Sequence, residues 1–264
     1  MRLDETFAKA AADGRAVLVG YLPAGYPTVP GAIDAFRAMV DAGVDVVEVG
    51  LPYSDPLMDG PVIQHAVDAA LATGTTTPDV LRTVEAVAAE GVPALVMSYW
   101  NPILRYGPDR FARDLAAAGG AGAITPDLIP DEAEDWQTAA RAVGVDTVFL
   151  VAPSSTDARL ALTADACRGF VYAASTMGVT GTRDQVGEAA EALVARVRKV
   201  TRLPVSVGLG VSSAAQAAEV AGFADGVIVG SAFVRKMIEA PDVATAASGV
   251  ATLAAELAKG VRRS

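Results

Sequence analysis

Eight short, mostly apolar runs, each followed by an amphipathic stretch, are the feature that most limits the fold of this 264-residue chain. The runs lie at 16–22, 44–50, 94–99, 122–125, 146–151, 169–174, 204–210 and 226–231. Near-continuous apolar runs are typical of parallel strands that are buried on both faces. The stretches between them have apolar residues at helical spacing, as Ile33, Phe36 and Val40 show. The chain is therefore predicted to repeat a strand–helix unit.

The number and spacing of these units favour one α/β fold, a (β/α)8 TIM barrel. Most strand starts lie 22 to 35 residues apart, but about 50 residues separate the second from the third. That longer segment predicts a loop over 50–61 and an extra helix over 62–71, and we also expect an N-terminal helix. No linker interrupts the chain, so we expect a single domain over 1–264, with a doubly wound open sheet as the alternative.

The charge and the rare residue types exclude several functional classes. The net charge of −10 and the pI near 4.6 argue against binding to nucleic acid or to an anionic membrane. No apolar run reaches the ~18 residues of a membrane span, and no secretory signal is seen at the N-terminus. Cys167 is the single cysteine, which permits no disulfide within the chain and fits a cytoplasmic location. His65 is the single histidine, so we expect no histidine-rich metal site.

Glycine-rich turns follow the seventh and eighth runs. Gly208 and Gly210 stand in the first turn, and Gly230 precedes Ser231 in the second. Glycine lets backbone N–H groups approach an anion, and the helix N-terminus that follows adds partial positive charge. Because these two loops are a frequent phosphate site of this fold, the turns predict phosphate binding. The segment 178–181, Gly-Val-Thr-Gly, could close over the same anion.

Carboxyl groups are the candidates for proton chemistry. Glu48 stands inside the second apolar run, where alternation can point it into the barrel mouth; the alternative is an edge carboxylate paired with an arginine. Burial would raise its pKa and make it a general acid or base near neutral pH. Asp55 and Asp59 follow in the next loop, and the residues alone do not decide which of them binds substrate and which caps a helix. His65 has a structural role in this interpretation.

Two further residues could contribute to the site. Asp127 follows the fourth strand, and it either lines the barrel mouth or bridges neighbouring loops; we count it with the substrate-binding candidates. Tyr172 ends the sixth strand, and its ring either donates a hydroxyl hydrogen bond or packs in the core.

The scarcity of lysine and histidine narrows the reaction type. The chain has four lysines, Lys9, Lys199, Lys236 and Lys259, and none of them stands at the C-terminal end of a predicted strand. A Schiff-base aldolase needs such a lysine, and a zinc aldolase needs several histidines. The remaining chemistry is metal-free acid–base catalysis by Glu48, Asp59 or both.

Five segments of the chain, in order, resemble the tryptophan synthase alpha chain family. They are 48–61, which reads EVGLPYSDPLMDGP, 126–128, the pair of Tyr172 and 178–181, 208–213, and 229–231. The resemblance implies a lyase that cleaves indole-3-glycerol phosphate to indole and glyceraldehyde 3-phosphate. It implies that Glu48 moves the proton between the substrate hydroxyl and indole C3, and that Asp59 binds the indole N–H.

The same resemblance implies roles for other residues. Tyr172 would lie beside the glutamate, Thr180 would close on Asp59, and the phosphate would be held by Gly181, Gly210, Gly230 and Ser231. The indole ring would lie against an apolar wall for which the candidates are Tyr21, Leu95, Met97, Leu128 and Ile228. Tyr21 and Met58 depart from the phenylalanine and the smaller residue of the family, and Ser-Thr-Met at 175–177 replaces its Ser-Arg-Ala.

The resemblance also implies a partner. Members dock a pyridoxal-phosphate-containing beta chain in an α2β2 tetramer and pass indole to it, so we expect no cofactor in this chain. The segments 52–56 and 101–103 are the expected docking surface. Three alternatives remain: a stand-alone lyase that releases free indole, a barrel that has lost catalysis and serves as a scaffolding subunit, and another phosphosugar barrel such as an isomerase.

Overall fold

A computed structural model describes residues 2–174 and 183–263, with side chains from residue 187 onwards in the second stretch. Within these residues the chain alternates between parallel strands and helices. The strands are β1 (Val17–Pro23), β2 (Val46–Gly50), β3 (Ala94–Met97), β4 (Gly122–Ile124), β5 (Asp146–Val148), β6 (Leu150–Val151), β7 (Val171–Ala174), β8 (Val205–Gly208) and β9 (Gly226–Val229). The helices are α1 (Leu3–Ala12), α2 (Val29–Asp41), α3 (Pro61–Ala72), α4 (Thr77–Ala88), α5 (Trp100–Tyr106), α6 (Pro108–Ala117), α7 (Glu134–Val143), α8 (Asp157–Ala166), α9 (Arg183–Val197), α10 (Ala214–Ala221), α11 (Ser231–Glu239) and α12 (Val243–Gly260).

The strands form one closed parallel barrel. Their order is β5-β4-β3-β2-β1-β9-β8-β7-β6, and the first strand pairs with the last described one, as in Val17 opposite Gly226. Only Phe149 separates β5 from β6, so these are two halves of one strand, of which the first pairs with β4 and the second with β7. The barrel therefore has eight strand positions. The predicted TIM barrel is confirmed, and the alternative of an open doubly wound sheet is wrong.

The N-terminal helix closes the end of the barrel at which the strands begin. Leu3, Phe7 and Ala10 of α1 are buried in one cluster with residues near the strand starts, among them Val17 and Phe170. The Phe7 and Phe170 rings lie 5.7 Å apart, centroid to centroid. Because α1 fills this end, the opposite end is the open one.

The second and larger core lies between the strands and the surrounding helices. Its largest fully buried side chains include Phe36 of α2, Trp136 of α7 and Phe233 of α11. Helix α12 packs across α2, α10 and α11 and so joins the last part of the chain to the first. No described helix has both the length and the apolar content of a membrane span.

The structure contains both of the helices that are placed from the sequence, the N-terminal helix α1 and the extra helix after β2. The extra helix expected over 62–71 is α3, at Pro61–Ala72. Helix α7 begins at Glu134, after a 3-10 turn at Pro130–Glu132. Helix α5 is not among the helices predicted from the sequence, and Pro102 is its third residue. Proline is tolerated in the first turn of a helix, and the Trp100 N–H there donates to the Asp127 carboxylate at 2.8 Å.

Candidate active site

A cavity of about 670 Å³ opens at the C-terminal ends of the strands. In barrels of this kind the catalytic residues stand at these ends. Ten of the residues singled out from the sequence as site candidates line the cavity: Tyr21, Glu48, Asp59, Met97, Tyr172, Gly208, Gly210, Ile228, Gly230 and Ser231. They come from segments that are far apart in the chain, and the closed barrel brings them to one space.

Glu48 is a buried carboxyl group inside this cavity. Strand register places it beside Tyr21 of β1 and Leu95 of β3, and it is 2% exposed. Its Oε1 atom has no hydrogen-bond partner in the part of the chain that the structure describes, and Glu48 forms no ion pair there. Burial raises the Glu48 pKa from 4.5 to about 8. The group is therefore mainly a protonated acid at neutral pH, which suits it to donate a proton.

Tyr21 and Tyr172 flank the cavity, and each occupies space that a glycine leaves free. A Cβ atom at Gly50 would lie 2.5 Å from the Tyr21 hydroxyl oxygen, and one at Gly208 would lie 2.6 Å from that of Tyr172. Burial raises the pKa of both phenols well above its ordinary value, and the Glu48 charge raises both further. Gly50 and Gly208 thus make room for the tyrosine rings, a role that the sequence analysis missed.

Asp59 is a half-buried carboxylate on the loop between β2 and α3. The Tyr99 hydroxyl donates to its Oδ1 atom at 3.2 Å, and the Gln64 side-chain amide donates to its backbone carbonyl at 2.7 Å. Burial raises the Asp59 pKa, and the bond from Tyr99 acts in the opposite direction. Asp59 and Glu48 therefore present two carboxyl groups to the same cavity, and each has a different environment.

Gly210, Gly230 and Ser231 line the other side of the cavity. Gly210 has a φ of +64°, a left-handed conformation that favours glycine. Gly230 is the N-cap of α11, and Ser231 begins that helix, whose first turn contains no acidic residue. This arrangement of a glycine turn and a helix N-terminus is suited to an anion.

Arg235, which the sequence analysis missed, also lines the cavity. It stands four residues after Ser231 in α11, so both side chains lie on the same face of the helix. Arg235 is exposed and forms no ion pair with any residue that the structure describes. The four-residue spacing between Ser231 and Arg235 is visible in the sequence. It could have predicted that Arg235 lies on the same helix face as Ser231.

Several other predicted residues are not brought to the cavity. Asp127 is exposed and accepts a hydrogen bond from the Trp100 N–H, so it bridges two loops, which was one of its two interpretations. Asp55 is exposed and accepts from the Ser54 hydroxyl at 2.6 Å. The His65 ring makes an edge contact with Tyr26 at 6.4 Å, as a structural role predicts. Thr180 and Gly181 lie outside the described residues.

The apolar wall differs in part from the prediction. Tyr21, Met97 and Ile228 line the cavity. Leu95 is buried in the barrel interior instead, and Leu128 is buried in the outer core. Further apolar residues that the sequence analysis did not choose complete the wall: Leu57, Met58, Val62, Ile63, Leu150 and Ala174. The cavity thus offers apolar walls, two carboxyl groups and an anion-binding end, and the described residues contain no cluster of side chains suited to a metal ion.

Comparison with known proteins identifies the family. A family model described as tryptophan synthase alpha chain matches residues 7–262. The chain is 64% identical over 263 residues to the tryptophan synthase alpha chain of Thermobifida fusca (strain YX), which covers 98% of this chain and 97% of that relative. It is 63% identical over 256 residues to that of Salinispora arenicola (strain CNS-205), with 97% and 96% covered.

Solved structures agree with this assignment. A chain of Mycobacterium tuberculosis tryptophan synthase in space group F222 superposes with a TM-score of 0.93 at 56% identity, covering 100% of this chain and 99% of that one. Tryptophan synthase subunit alpha from Legionella pneumophila str. Paris superposes with a TM-score of 0.90 at 31% identity, covering 98% of each chain. The matches extend over the barrel and over the cavity residues alike, and the chain therefore belongs to the tryptophan synthase alpha chain family.

Proposed function

We propose that this chain is a lyase that cleaves indole-3-glycerol phosphate to indole and D-glyceraldehyde 3-phosphate by a retro-aldol reaction. The observation that carries the proposal is the buried Glu48 carboxyl group, whose pKa of about 8 keeps it protonated at neutral pH in the same cavity as Asp59. A proton donor and a carboxylate that face one apolar space are what the cleavage of this carbon–carbon bond needs.

In the first step, Glu48 donates its proton to C3 of the indole ring. The ring then carries positive charge that is delocalised to the N1–H group, and the Asp59 carboxylate accepts a hydrogen bond from that group. A preorganised charge of this kind contributes about 3–4 kcal/mol to the stability of the transition state. The Asp59 carboxylate stabilises the positive charge of the ring, and this charge is present only as the reaction proceeds. Asp59 therefore stabilises the transition state more than the bound substrate.

In the second step, the bond between indole C3 and the first glycerol carbon breaks. Its electron pair returns to the ring and restores neutral indole. The Glu48 carboxylate takes the proton from the hydroxyl group on that carbon, which becomes the aldehyde of glyceraldehyde 3-phosphate. Glu48 has then given one proton and taken one, so it returns to its starting state. Tyr172 lies close enough for the Glu48 charge to raise its pKa, and we propose that it bounds the glutamate on the β7 side.

The other cavity residues bind the substrate in this proposal. The phosphate lies at Gly210, Gly230 and Ser231, where backbone N–H groups and the N-terminus of α11 favour an anion. The indole ring packs between Tyr21 and Met97. As the resemblance implies, Gly181 also binds the phosphate and Thr180 contacts Asp59. Asp127 stays a substrate-binding candidate, but it does not line the cavity.

We further propose that the chain acts as the alpha subunit of a tryptophan synthase. Its partner is a beta chain that supplies pyridoxal phosphate and consumes the indole, and this chain has no cofactor of its own. The expected assembly is an α2β2 tetramer that docks through 52–56 and 101–103. The M. tuberculosis chain to which this one is similar comes from a structure of tryptophan synthase, which supports such a partner.

One experiment tests the activity and the partner together. Indole release is measured for the wild type and for Glu48→Gln, each with and without a beta chain. We expect Glu48→Gln to retain less than about a tenth of the activity, because a side-chain amide neither donates an acidic proton nor takes one back. More than a tenth would remove Glu48 from the chemistry. High activity without the beta chain would favour a stand-alone lyase. The size of the mixture is measured as well, and the absence of an alpha–beta complex at micromolar concentration would contradict the proposed partner.

A further inference from the structure

Tyr99 makes two hydrogen bonds to the loop that holds Asp59. It is buried at the N-cap of α5, two residues after the end of β3, and 40 residues from Asp59 in the chain. Its hydroxyl oxygen accepts from the Met58 N–H at 2.9 Å, and its hydroxyl hydrogen is donated to Asp59 Oδ1 at 3.2 Å. One phenol therefore contacts both the backbone before Asp59 and the carboxylate itself.

The Tyr99 ring is held in turn by its neighbours. The Tyr53 ring packs against it with 5.5 Å between the centroids, and the Tyr53 hydroxyl accepts from the Asn101 side-chain amide at 3.1 Å. The backbone of Tyr99 is the N-cap of α5, so the ring leaves from a helix end and not from a free loop. Because the Tyr99 backbone and ring are both held in place, its hydroxyl group can hold the Asp59 carboxylate in one position.

Asp59 needs such support because its own loop supplies little. It lies between β2 and α3 and belongs to neither. Gln64 of α3 holds its carbonyl oxygen, but the described contacts to the carboxylate come from Tyr99. Small errors in the placement of a charged group that faces a reacting ring reduce the rate strongly.

We infer that Tyr99 is a positioning residue, which holds the Asp59 carboxylate toward the ring nitrogen of the substrate. The inference rests on the proposed function, because it assigns Asp59 its role there. Tyr99 does not react with the substrate, and it acts through the two hydrogen bonds of its hydroxyl group.

The test is Tyr99→Phe, which keeps the ring and removes both hydrogen bonds. We expect kcat for indole release to fall about tenfold or more, since a hydrogen bond to a charged group is lost in a partly dry site. The KM for indole-3-glycerol phosphate should change little, because the phosphate end is untouched. Thermal unfolding checks that the variant folds.

The pH profile supplies a readout that a structural role would not change. The hydroxyl donates to Asp59 and favours its charged form, so its removal should move the acid limb of kcat to higher pH. The other titratable groups that line the cavity are Glu48, Tyr21, Tyr172 and Arg235, and Tyr99→Phe leaves all four in place.

The matched control is Tyr106→Phe. It also removes a bond from a tyrosine hydroxyl to an aspartate, here Asp114 at 2.7 Å, but outside the cavity. We expect its kcat and its pH profile to match those of the wild type. If Tyr106→Phe and Tyr99→Phe lowered kcat equally, the inference would be overturned.

A double mutant separates this inference from the proposed function. Asp59→Asn alone should cost at least tenfold in turnover; unchanged turnover would remove Asp59 from the mechanism and would count against the proposed function. If Asp59→Asn is impaired, adding Tyr99→Phe should cause little further loss, because both changes act through one carboxylate. Multiplied losses in the double mutant, or a Tyr99→Phe enzyme within twofold of the wild type, would overturn the positioning role alone.

Discussion

At the residue scale, the chemistry depends on a carboxyl group that the protein keeps away from water and from positive charge. Glu48 is 2% exposed, and burial alone is the cause of its raised pKa. Its register partners on the neighbouring strands are the Tyr21 phenol and the apolar Leu95, and neither is an arginine. A cation beside Glu48 would favour its charged form and remove the acid that the proposed first step uses.

Glu48→Gln should remove the pH dependence of stability that this group causes. The folded-state pKa of about 8 lies above the unfolded value of 4.5, so the Glu48 contribution is full below pH 4.5 and is lost as the pH rises to 8. At pH 9 the wild type must bury a charge, so its free energy of unfolding relative to that of Glu48→Gln should fall by at most about 5 kcal/mol between pH 5 and pH 9. Urea unfolding at pH 5 and pH 9 measures this, with the exposed Glu256→Gln as control. The same stability difference between wild type and Glu48→Gln at pH 5 and at pH 9 would contradict the shift.

Arg235→Ala should weaken binding of the phosphorylated substrate about twofold to fivefold, as expected for one exposed charge contact. The effect should shrink as salt is added, because mobile ions screen an exposed charge. KM for indole-3-glycerol phosphate and the affinity for glyceraldehyde 3-phosphate are the measurements. Lys236→Ala is the matched control, since it removes the same charge from the next residue of α11, which does not line the cavity. Equal effects of the two variants would argue for general electrostatics.

At the element scale, the strand ends are built so that aromatic rings fit against glycine. Gly50 ends β2 and Gly208 ends β8, and the rings of Tyr21 and Tyr172 pack where their side chains would be. The glycine at a strand end is therefore a packing requirement of the neighbouring strand. Glycine can also permit a left-handed backbone turn, which is a separate role. Gly210, with its φ of +64°, is the example here.

Gly50→Ala should destabilise the chain by about 1–3 kcal/mol and lower indole release, because the new methyl group overlaps the Tyr21 ring and pushes it toward the substrate. Gly249→Ala is the control within α12, where the new Cβ would be 3.7 Å from the nearest atom, an ordinary contact. That variant should be more stable by about 0.5–1 kcal/mol, since alanine is the better helix former. Thermal unfolding and indole release are measured for both. A Gly50→Ala variant with wild-type stability would disprove the packing argument.

At the scale of the whole molecule, the packing that closes the barrel and the cavity that holds the candidate active site lie at opposite ends. The helix α1 fills the end at which the strands begin, and the cavity opens at the other end. The first strand pairs with the last described strand, and the Arg263 side chain donates to the carbonyl oxygens of Ala221 and Ala224. We propose on this basis that residues 1–264 form a single domain.

Phe7→Ala should cost about 3 kcal/mol or more of stability and leave kcat unchanged. The Phe7 ring is buried against Phe170 at the closed end, and a phenylalanine deleted from a core leaves a cavity. Lys9→Ala, an exposed change on the same helix, should have almost no effect on stability. Denaturant unfolding and steady-state kinetics at a temperature where both variants are folded are the measurements. A fall in kcat for folded Phe7→Ala would mean that the two ends are coupled.

The sequence by itself determined the fold and the centre of the site. Apolar runs at regular spacing predict which segments are buried strands. When parallel strand–helix units close into a barrel, the C-terminal ends of all strands lie at the same end of it. For this reason Glu48 and the glycine turns at Gly210 and Gly230 could be assigned to one cavity before any coordinates. These inferences needed only local periodicity and one rule about barrels.

Only the tertiary structure decided which side chains meet. Tyr99 and Asp59 are 40 residues apart, and Asp127 and Trp100 are 27 apart. Whether such a pair comes within hydrogen-bond distance depends on strand register and on the path of two loops, neither of which the period of the pattern encodes. Periodicity predicts the face on which a side chain lies, but its partner depends on the distances that the folded barrel sets.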